Sequence, residues 1–245
     1  MSHRSRLITL GLLTFIVGVV LFFPARVAYR WFAPSEVNVS GIRGTVWSGA
    51  AYEASSDGIY LRDLNWRFRP LDLATGRLGY AVKAKFTSGF VEGNIAVGVT
   101  GSILARDLSG TLPLDSLRNI PGIAGSRGDL VAKFTELRIE GGVPVAADGV
   151  LEISGLVIPL IQRASLGGFK AEFFTQESAV MASVEGNQAV VDLAGKLQIL
   201  ADGSFSFQGL LSAKPETPAA LRQQMQFLGS ANERGQHELR WEGQL

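Results

Sequence analysis

Apolar and polar residues alternate one by one through much of the chain after residue 33. In residues 59–70, Leu64, Trp66 and Phe68 are each followed by a polar residue. Alternation with a period of two is typical of a β-strand with one buried and one solvated face, as in antiparallel sheets. The same alternation recurs in residues 78–86, 203–211 and 236–245. The pattern therefore predicts a mainly β protein.

Asp-Gly pairs mark expected turns between strands. They occur at residues 57–58, 148–149 and 202–203, and each precedes a short alternating run. Asp and Gly both accept the positive φ angles that tight hairpin turns require. Glycine is abundant, with 29 residues that lie mostly between short apolar runs. These features predict a largely antiparallel sheet with many hairpins.

One segment near the middle of the chain departs from the alternation. Residues 112–123 are predicted to contain a short helix that begins after Pro113 and is closed by Pro121. The overlapping residues 116–129 contain several turn-forming residues and are the most plausible hinge of the chain.

A second segment, residues 217–229, is predicted to form the best helix after the N-terminal anchor. Thr217 is the expected N-cap, Pro218 suits the first helical position, and Gly229 suits the end. Its apolar side chains form one stripe, which is expected to cover a rim or a face of the sheet. This stripe consists of Leu221, Met225 and Leu228.

The N-terminal segment predicts a membrane anchor. Residues 7–25 carry no charge, and as a helix they would span about 28 Å, close to the thickness of the hydrocarbon core. A cleaved signal peptide is the rival interpretation, but its apolar core is shorter and needs a small-residue cleavage site, which is poor here. We therefore expect residues 1–32 to form a cytoplasmic tail and a transmembrane anchor. Residues 33–245 are expected to form a periplasmic β-rich domain.

Composition excludes several classes of function. The chain has no cysteine and only two histidines, His3 and His237, which excludes thiolate chemistry, disulfides and multi-histidine metal sites. Beyond residue 33 it carries 19 basic and 22 acidic residues. This mildly acidic balance lacks the basic footprint of a nucleic-acid-binding protein. We expect no cofactor and no metal.

Ser48 is the only residue that invites comparison with a catalytic nucleophile. It lies in the stretch GIRGTVWSGAAY, but Val46 and Ala50 replace the two glycines of a nucleophile elbow, and a predicted strand follows. His237, the only candidate base, lies in an alternating strand. Acidic pairs such as Asp57 with Asp63, or Glu233 with Glu238, fit a solvated surface. The stretch is better explained as a tight bend, and the chain is expected not to be an enzyme.

In this bend, Gly44 and Gly49 are expected to provide backbone freedom, while Trp47 is expected to fill the core. The bend GTVWSG, followed by LNWRFRPLDLATGRLGY with Trp66, Phe68 and Pro70, resembles the type II secretion system protein N family. The C-terminal PETPAALRQQMQFLG and GQHELRWEGQL are also similar to the family ending. The resemblance covers nearly the whole chain.

The resemblance implies a non-catalytic, single-pass protein of the bacterial inner membrane. Such a protein would take part in exporting folded proteins across the outer membrane, through contacts with other inner-membrane components of the secretion machine. The family also looks distantly like AsmA-type envelope proteins, whose long curved sheets form an apolar groove. The implied fold is a curved, largely antiparallel sheet, shaped as a half-barrel or groove, with one or two short helices. The positions implied to be structural are Gly44, Val46, Trp47, Gly49 and Pro70.

Two functions stay open at this stage. The chain is either an interaction component of a secretion complex or an AsmA-like groove protein that binds or transfers lipid or another hydrophobic ligand. The two differ in what fills the apolar face, which is either packed against helix 217–228 or open to a ligand. The candidate residues of this face are Leu64, Trp66, Phe68, Tyr80, Val82 and Phe86.

Overall fold

The computed structural model describes residues 3–34, 36–56, 59–117, 125–159, 161 and 164–245. The described chain begins with two helices, α1 (His3–Leu21) and α2 (Ala25–Phe32). Pro24 separates them, because its ring removes a backbone N–H donor and disfavours continuation of the preceding helix. The uncharged segment 7–25 is therefore divided between two helices. Among the described residues, we find no helix with both the length and the apolar character needed to cross a membrane.

Fourteen strands follow within the described residues. They are β1 (Val37–Ser40), β2 (Arg43–Gly44), β3 (Ser48–Ser56), β4 (Ile59–Arg69), β5 (Arg77–Phe86), β6 (Gly89–Gly98), β7 (Ile103–Pro113), β8 (Arg127–Glu140), β9 (Val143–Val157), β10 (Gly167–Gln176), β11 (Ala179–Asn187), β12 (Val191–Ile199), β13 (Ser204–Ala213) and β14 (Gln236–Gln244).

All of these strands belong to one antiparallel sheet with the order of a meander. The order is β1, then β3 through β14 in sequence, and the short β2 pairs with β3 outside this path. The two ends of the path, β1 and β14, are the edges of an open sheet. The prediction of a mainly β, largely antiparallel protein is confirmed.

The Asp-Gly pairs have three different outcomes. Asp202-Gly203 forms the predicted turn between β12 and β13, where Gly203 has a φ of +86°. The Asp202 carboxylate accepts hydrogen bonds from the Ser204 hydroxyl and backbone N–H, and these bonds lower the pKa of Asp202. The pair 57–58 lies outside the described residues.

The third pair, Asp148-Gly149, is not a turn, and that prediction is wrong. Both residues lie inside β9, where Gly149 is opposite Phe134 on one side and Phe173 on the other. A Cβ atom at position 149 would overlap the backbone of β8 and the Phe134 ring. The rings of Phe134 and Phe173 then meet, with their centroids 5.6 Å apart. Glycine serves here for close approach rather than for a positive φ.

The predicted C-terminal helix is present as α3 (Ala219–Met225), followed by a 3-10 turn (Gln226–Leu228) that ends at Gly229. Its start differs from the prediction. Pro218 holds the N-cap position, whereas the buried Thr217 hydroxyl donates to the Val190 carbonyl at 2.5 Å and accepts from the Lys214 N–H at 2.7 Å. Thr217 thus holds the loop before α3 against the beginning of β12 rather than capping the helix.

Two other 3-10 helices, Pro70–Thr75 and Leu114–Leu117, interrupt the strands. The second falls within the predicted helix 112–123, but residues 118–124 lie outside the described residues. Half of the predicted hinge 116–129 lies there too, so that hinge stays a prediction. The division into residues 1–32 and 33–245 also stays a prediction.

Strand register separates the two faces of the sheet. Residues directly opposite each other in an antiparallel pair share a face. One such row runs from Tyr80 through Ile95, Ala105 and Leu137 to Ala147 and is entirely apolar except for the Tyr80 hydroxyl. A row on the other face includes the ion pair between Lys83 and Glu92, with its nitrogen and oxygen 2.7 Å apart. The predicted one-sided sheet is therefore present across β5 to β9.

The apolar face is only partly covered. About half of the buried hydrophobic residues of the described chain form three small clusters, and the largest fully buried side chain is only Val180. The chain exposes 15865 Å² of surface, whereas a compact protein of this mass exposes about 10,600 Å². The excess fits the protruding α1, whose apolar side chains are exposed, together with an open apolar face.

Candidate functional site

The candidate site is an apolar groove, hereafter the N-terminal groove, formed by β4, β5 and β6 beside the N-terminal helices. Its volume is about 620 Å³, within the range of small-molecule sites. Its only polar side-chain groups are the Tyr80 hydroxyl and the Trp66 indole N–H, and the latter donates to the Thr45 carbonyl at 3.1 Å. The groove is lined by Ala25, Val46, Leu64, Trp66, Leu78, Tyr80, Val82, Ile95 and Val97.

Strand register builds the floor of this groove. Trp66 of β4 is opposite Val82 of β5, and Tyr80 of β5 is opposite Ile95 of β6. Each pair places two apolar side chains on the same face. Because three neighbouring strands contribute in this way, the floor is a continuous apolar surface.

The N-terminal helices form one wall of the groove. The Val46 N–H donates to the Phe23 carbonyl at 3.0 Å, and the Trp47 indole N–H donates to the Val20 carbonyl at 2.7 Å. These two bonds tie the end of α1 to the turn between β2 and β3. Ala25, the first residue of α2, is thereby held at the groove, where it is the one lining residue that the two helices contribute.

The bend GTVWSG is a tight turn in which the Thr45 N–H donates to the Ser48 carbonyl at 2.9 Å. Gly44 has a φ of +89°, and a Cβ atom there would also approach the Ser48 carbonyl oxygen and the Gly49 Cα too closely. Gly49 does not have a positive φ; it is needed because the Trp66 ring lies directly over it.

An aromatic row extends from the bend into the sheet. Trp47 is half-buried, and its ring centroid lies 4.8 Å from that of Phe68, which lies 5.6 Å from that of Tyr80. Trp47 therefore joins the sheet to α1 instead of filling a closed core. Pro70 begins the 3-10 helix that follows β4, as its fixed φ favours.

The predicted apolar-face residues are distributed unequally. Leu64, Trp66, Tyr80 and Val82 line the N-terminal groove. Phe68 lies next to it through its contact with Tyr80, whereas Phe86 lies at the far end of β5, opposite Gly89.

Helix α3 does not pack on these residues. Its buried Leu221 and Met225 pack instead against Leu166 and Val191. Leu228, the third residue of the predicted stripe, is 44% exposed. The helix therefore covers another part of the apolar face and leaves the N-terminal groove open.

Sequence analysis missed part of the groove. Ile95 and Val97 alternate with Ala96 and Gly98, which are not polar, so no contrast in polarity marks their face. Ala25 belongs to the segment predicted as the anchor, and nothing in the residue pattern there indicates a place in the groove. Leu78 begins the alternating run 78–86 and shares the face of Tyr80 and Val82, so the alternation does indicate its place in the groove.

The groove is electrically neutral, since its lining carries no charged residue. Desolvation by burial raises the pKa of the Tyr80 phenol above its ordinary value of 10.0, so Tyr80 stays protonated at neutral pH. Ion pairs occupy the opposite face, where Asp72 pairs with Arg69 at 3.1 Å and with Arg106 at 3.8 Å. This arrangement suits an uncharged, hydrophobic occupant.

The residues considered for catalysis do not come together. Ser48 begins β3, near one edge of the sheet, and His237 lies in β14 at the other edge. His237 Nδ1 instead lies 2.9 Å from the Gly229 carbonyl. In the part of the chain that the structure describes, no group of three or more His, Cys, Asp or Glu residues is arranged to hold a metal.

The sequence of the chain is similar to that of a known protein family. The family described as "Type II secretion system (T2SS), protein N" matches residues 35–240, most of the chain. The chain belongs to the type II secretion system protein N family. This confirms the resemblance found in the sequence.

Individual family members are similar along almost their full length. The type II secretion system protein N of Vibrio cholerae is 26% identical over 246 residues, with 94% of each chain covered. The protein of the same name from Aeromonas hydrophila is 25% identical over 257 residues, with 100% of each chain covered. The Klebsiella pneumoniae protein is 24% identical, with 98% of this chain and 97% of the relative covered. Comparison with solved structures gives no significant match.

Proposed function

We propose that this chain is a non-catalytic, bitopic inner-membrane component of the type II secretion machinery. In this proposal it supports the export of folded proteins across the outer membrane through contacts with other inner-membrane components. The family match over residues 35–240 carries the proposal. The absence of a convergent acid, base and nucleophile among the residues considered for catalysis is consistent with a structural role.

The anchoring part of the proposal is supported by the N-terminal segment. Residues 7–25 are uncharged, and apolar side chains of α1 are largely exposed, including Phe15 at 68% and Ile8 at 71%. An exposed apolar surface of this kind is stable in contact with lipid and costly in contact with water. In the proposed topology, the segment anchors the chain and the β-sheet lies in the periplasm.

Topology is tested by fusing reporters to Leu245 of the full chain. A reporter that is active only in the periplasm is expected to be active, and one that is active only in the cytoplasm is expected to be silent. The opposite result would overturn the proposed topology, because a cytoplasmic sheet could not act between the membranes.

The secretion role is tested in a bacterium that depends on this chain's own machinery. Deleting the gene is expected to leave folded export substrates in the periplasm, and the full chain supplied in trans is expected to restore their release. A matched variant with α1 and α2 replaced by a cleavable signal separates anchoring from the function of the sheet. Unchanged secretion after deletion would contradict the proposal.

A second candidate function is binding of a lipid acyl chain or a similar hydrophobic ligand. The observation that favours it is the N-terminal groove, which is open and apolar. Val82 lies in the groove floor, while the neighbouring Lys83 pairs with Glu92 on the other face.

Mass spectrometry of lipids that co-purify with the full chain in mild detergent tests this function. Stoichiometric lipid is expected with the native chain, and Val82→Glu is expected to remove it because the new charge would be buried against an apolar ligand. Lys83→Glu is the matched control and is expected to retain the lipid. Lipid-free native protein, or equal loss in both variants, would argue against a lipid site in the groove.

A further inference from the structure

The outer edge of β14 is unpaired and regular. Within the described residues β14 pairs only with β13, and the register runs without a bulge from Ser204 opposite Gln244 to Ser212 opposite Gln236. The strand contains no proline. Regular edge strands present a row of backbone N–H and C=O groups that another strand can pair with, unless bulges, prolines or a covering segment prevent it.

The opposite edge of the sheet is blocked. At β1, the Tyr29 hydroxyl of α2 donates to the Val37 carbonyl at 2.8 Å and accepts from the Val39 N–H at 3.1 Å. In an antiparallel strand, both backbone groups of one residue point to the same side, and those of alternate residues share that side. Tyr29 thus occupies groups of β1 that would otherwise receive a new strand. The two edges of the sheet differ in this respect.

Backbone bonds at the ends of β14 show which groups point outward. The Leu245 N–H donates to the Gly203 carbonyl at 2.9 Å, so the backbone N–H and C=O groups of odd-numbered residues point toward β13. The backbone groups of the even-numbered residues therefore point outward, away from β13. Of these, the Gln236 carbonyl is already taken by the Asn232 N–H at 2.8 Å. The free segment is residues 238–244, and Trp241 is its midpoint.

The charges of this segment match an antiparallel second copy of it. With a twofold axis at Trp241, Arg240 of each copy lies opposite Glu242 of the other. The even-numbered residues then form the hydrogen-bonded pairs, as their outward direction requires. A shift that centres the pairing on Arg240 would place arginine opposite arginine and Glu238 opposite Glu242, which is repulsive.

Arg240 and Trp241 have the capacity to make these contacts. Arg240 Nε bonds Glu242 Oε1 of its own strand at 3.0 Å, which leaves the terminal guanidinium nitrogens for a second carboxylate. Trp241 is 68% exposed, although its ring packs edge-on against Phe205 with centroids 5.5 Å apart. The twofold axis would bring the two Trp241 side chains together as a non-hydrogen-bonded pair, the closer kind of cross-strand pair.

We propose that two copies of this chain associate through β14, as antiparallel strands related by a twofold axis at Trp241. The sheet continues from one copy into the other, and the apolar faces of both copies lie on the same side. This association is independent of the proposed role in secretion and of a ligand in the N-terminal groove.

Engineered cysteines test the pairing in the full-length chain, which contains no native cysteine. In mild detergent and under oxidising conditions, Trp241→Cys is expected to form a disulfide-linked dimer, because the two Cα atoms of a non-hydrogen-bonded pair lie about 4.5 Å apart, within the range that a disulfide spans. Leu239→Cys is the matched control on the same strand and face. It lies opposite Gly243 of the second copy and is expected to stay monomeric on a non-reducing gel. No dimer from Trp241→Cys, or equal dimer from Leu239→Cys, would overturn the pairing.

A charge exchange tests the same pairing with Trp241 intact. Arg240→Glu places glutamate opposite Glu242 twice, so the dissociation constant of the dimer is expected to rise at least about tenfold. The double variant Arg240→Glu with Glu242→Arg restores opposite charges and is expected to return to within about threefold of the native value. Sedimentation of the detergent-solubilised chain measures this constant, and circular dichroism checks the fold. A native chain that remains monomeric at micromolar concentration, or a double variant that stays dissociated, would refute the proposal.

Discussion

Gly79 and Asp72 occupy one site on the charged face of the sheet. A Cβ atom added to Gly79 would overlap the Asp72 side chain, which is largely buried and paired with Arg69 and Arg106. The absence of a side chain at position 79 is therefore what allows this carboxylate to lie flat on β5.

We expect Gly79→Ala to lower the free energy of unfolding by about 1–3 kcal/mol, since the added methyl group displaces a packed and paired carboxylate. In an Asp72→Ala background, the same substitution should cost less, because most of the overlapping atoms are gone. Urea unfolding of the four proteins in this double-mutant cycle measures the coupling. Strictly additive costs would show that the two residues are not in conflict.

Tyr80 provides a pH-dependent probe of the N-terminal groove. Burial raises the pKa of its phenol above 10.0, while in the unfolded chain the phenol ionises near that value. The unfolded state therefore loses its proton first, so the contribution of Tyr80 to stability is complete below pH 10 and is lost as the pH rises through the folded pKa. We expect ultraviolet titration of the native chain minus that of Tyr80→Phe to give a midpoint above 10.0. A midpoint at or below 10.0 would mean that burial at the groove does not desolvate the phenol.

Helix α3 provides the main side-chain cover over the C-terminal part of the apolar face. Met225 is only 3% exposed and packs with Leu166 and Val191. We expect Met225→Ala to destabilise the fold by about 2–5 kcal/mol, since it leaves a cavity between the helix and the sheet. Phe227, two residues later and 86% exposed, is the control, and Phe227→Ala should change stability by no more than about 0.5 kcal/mol. Chemical denaturation measures both, and equal losses would contradict the packing of α3.

At the level of elements, alternation predicted the strands because a half-buried strand must present opposite polarity on its two faces. Turn chemistry was less informative. Asp202-Gly203 is a turn and Asp148-Gly149 is not, because the dipeptide tolerates a positive φ without requiring one. The role of Gly149 depends on Phe134 and Phe173, which come from other strands. A local sequence pattern does not carry that information.

The groove was predictable in part for the same reason. Trp66 and Val82 lie in strands with strong polarity contrast, so their shared face could be assigned. Ala25 joins them because hydrogen bonds tie the chain around it to the sheet, among them those of Trp47 and Val46 to backbone carbonyls at the end of α1. Main-chain carbonyls are present in every residue, so the sequence does not reveal which of them accept hydrogen bonds in the folded chain.

At the scale of the whole molecule, the open sheet changes how much surface is released on unfolding. The native chain exposes 15865 Å², and the unfolded chain would expose about 38,000 Å². We therefore expect the dependence of unfolding free energy on urea to be about one fifth weaker than for a compact protein of the same length, since this slope follows the newly exposed area. A slope equal to that of a compact protein would indicate that the apolar face closes on itself in solution.

The hydroxyl of Tyr29 limits how far such sheets can grow. A strand array with two receptive margins would add subunits without end and form fibres, whereas a margin already occupied by a phenol group terminates growth. Two copies joined through their C-terminal strands would each present a terminated margin outward. Replacing Tyr29 with phenylalanine would remove that terminator and open a route from discrete pairs to filaments.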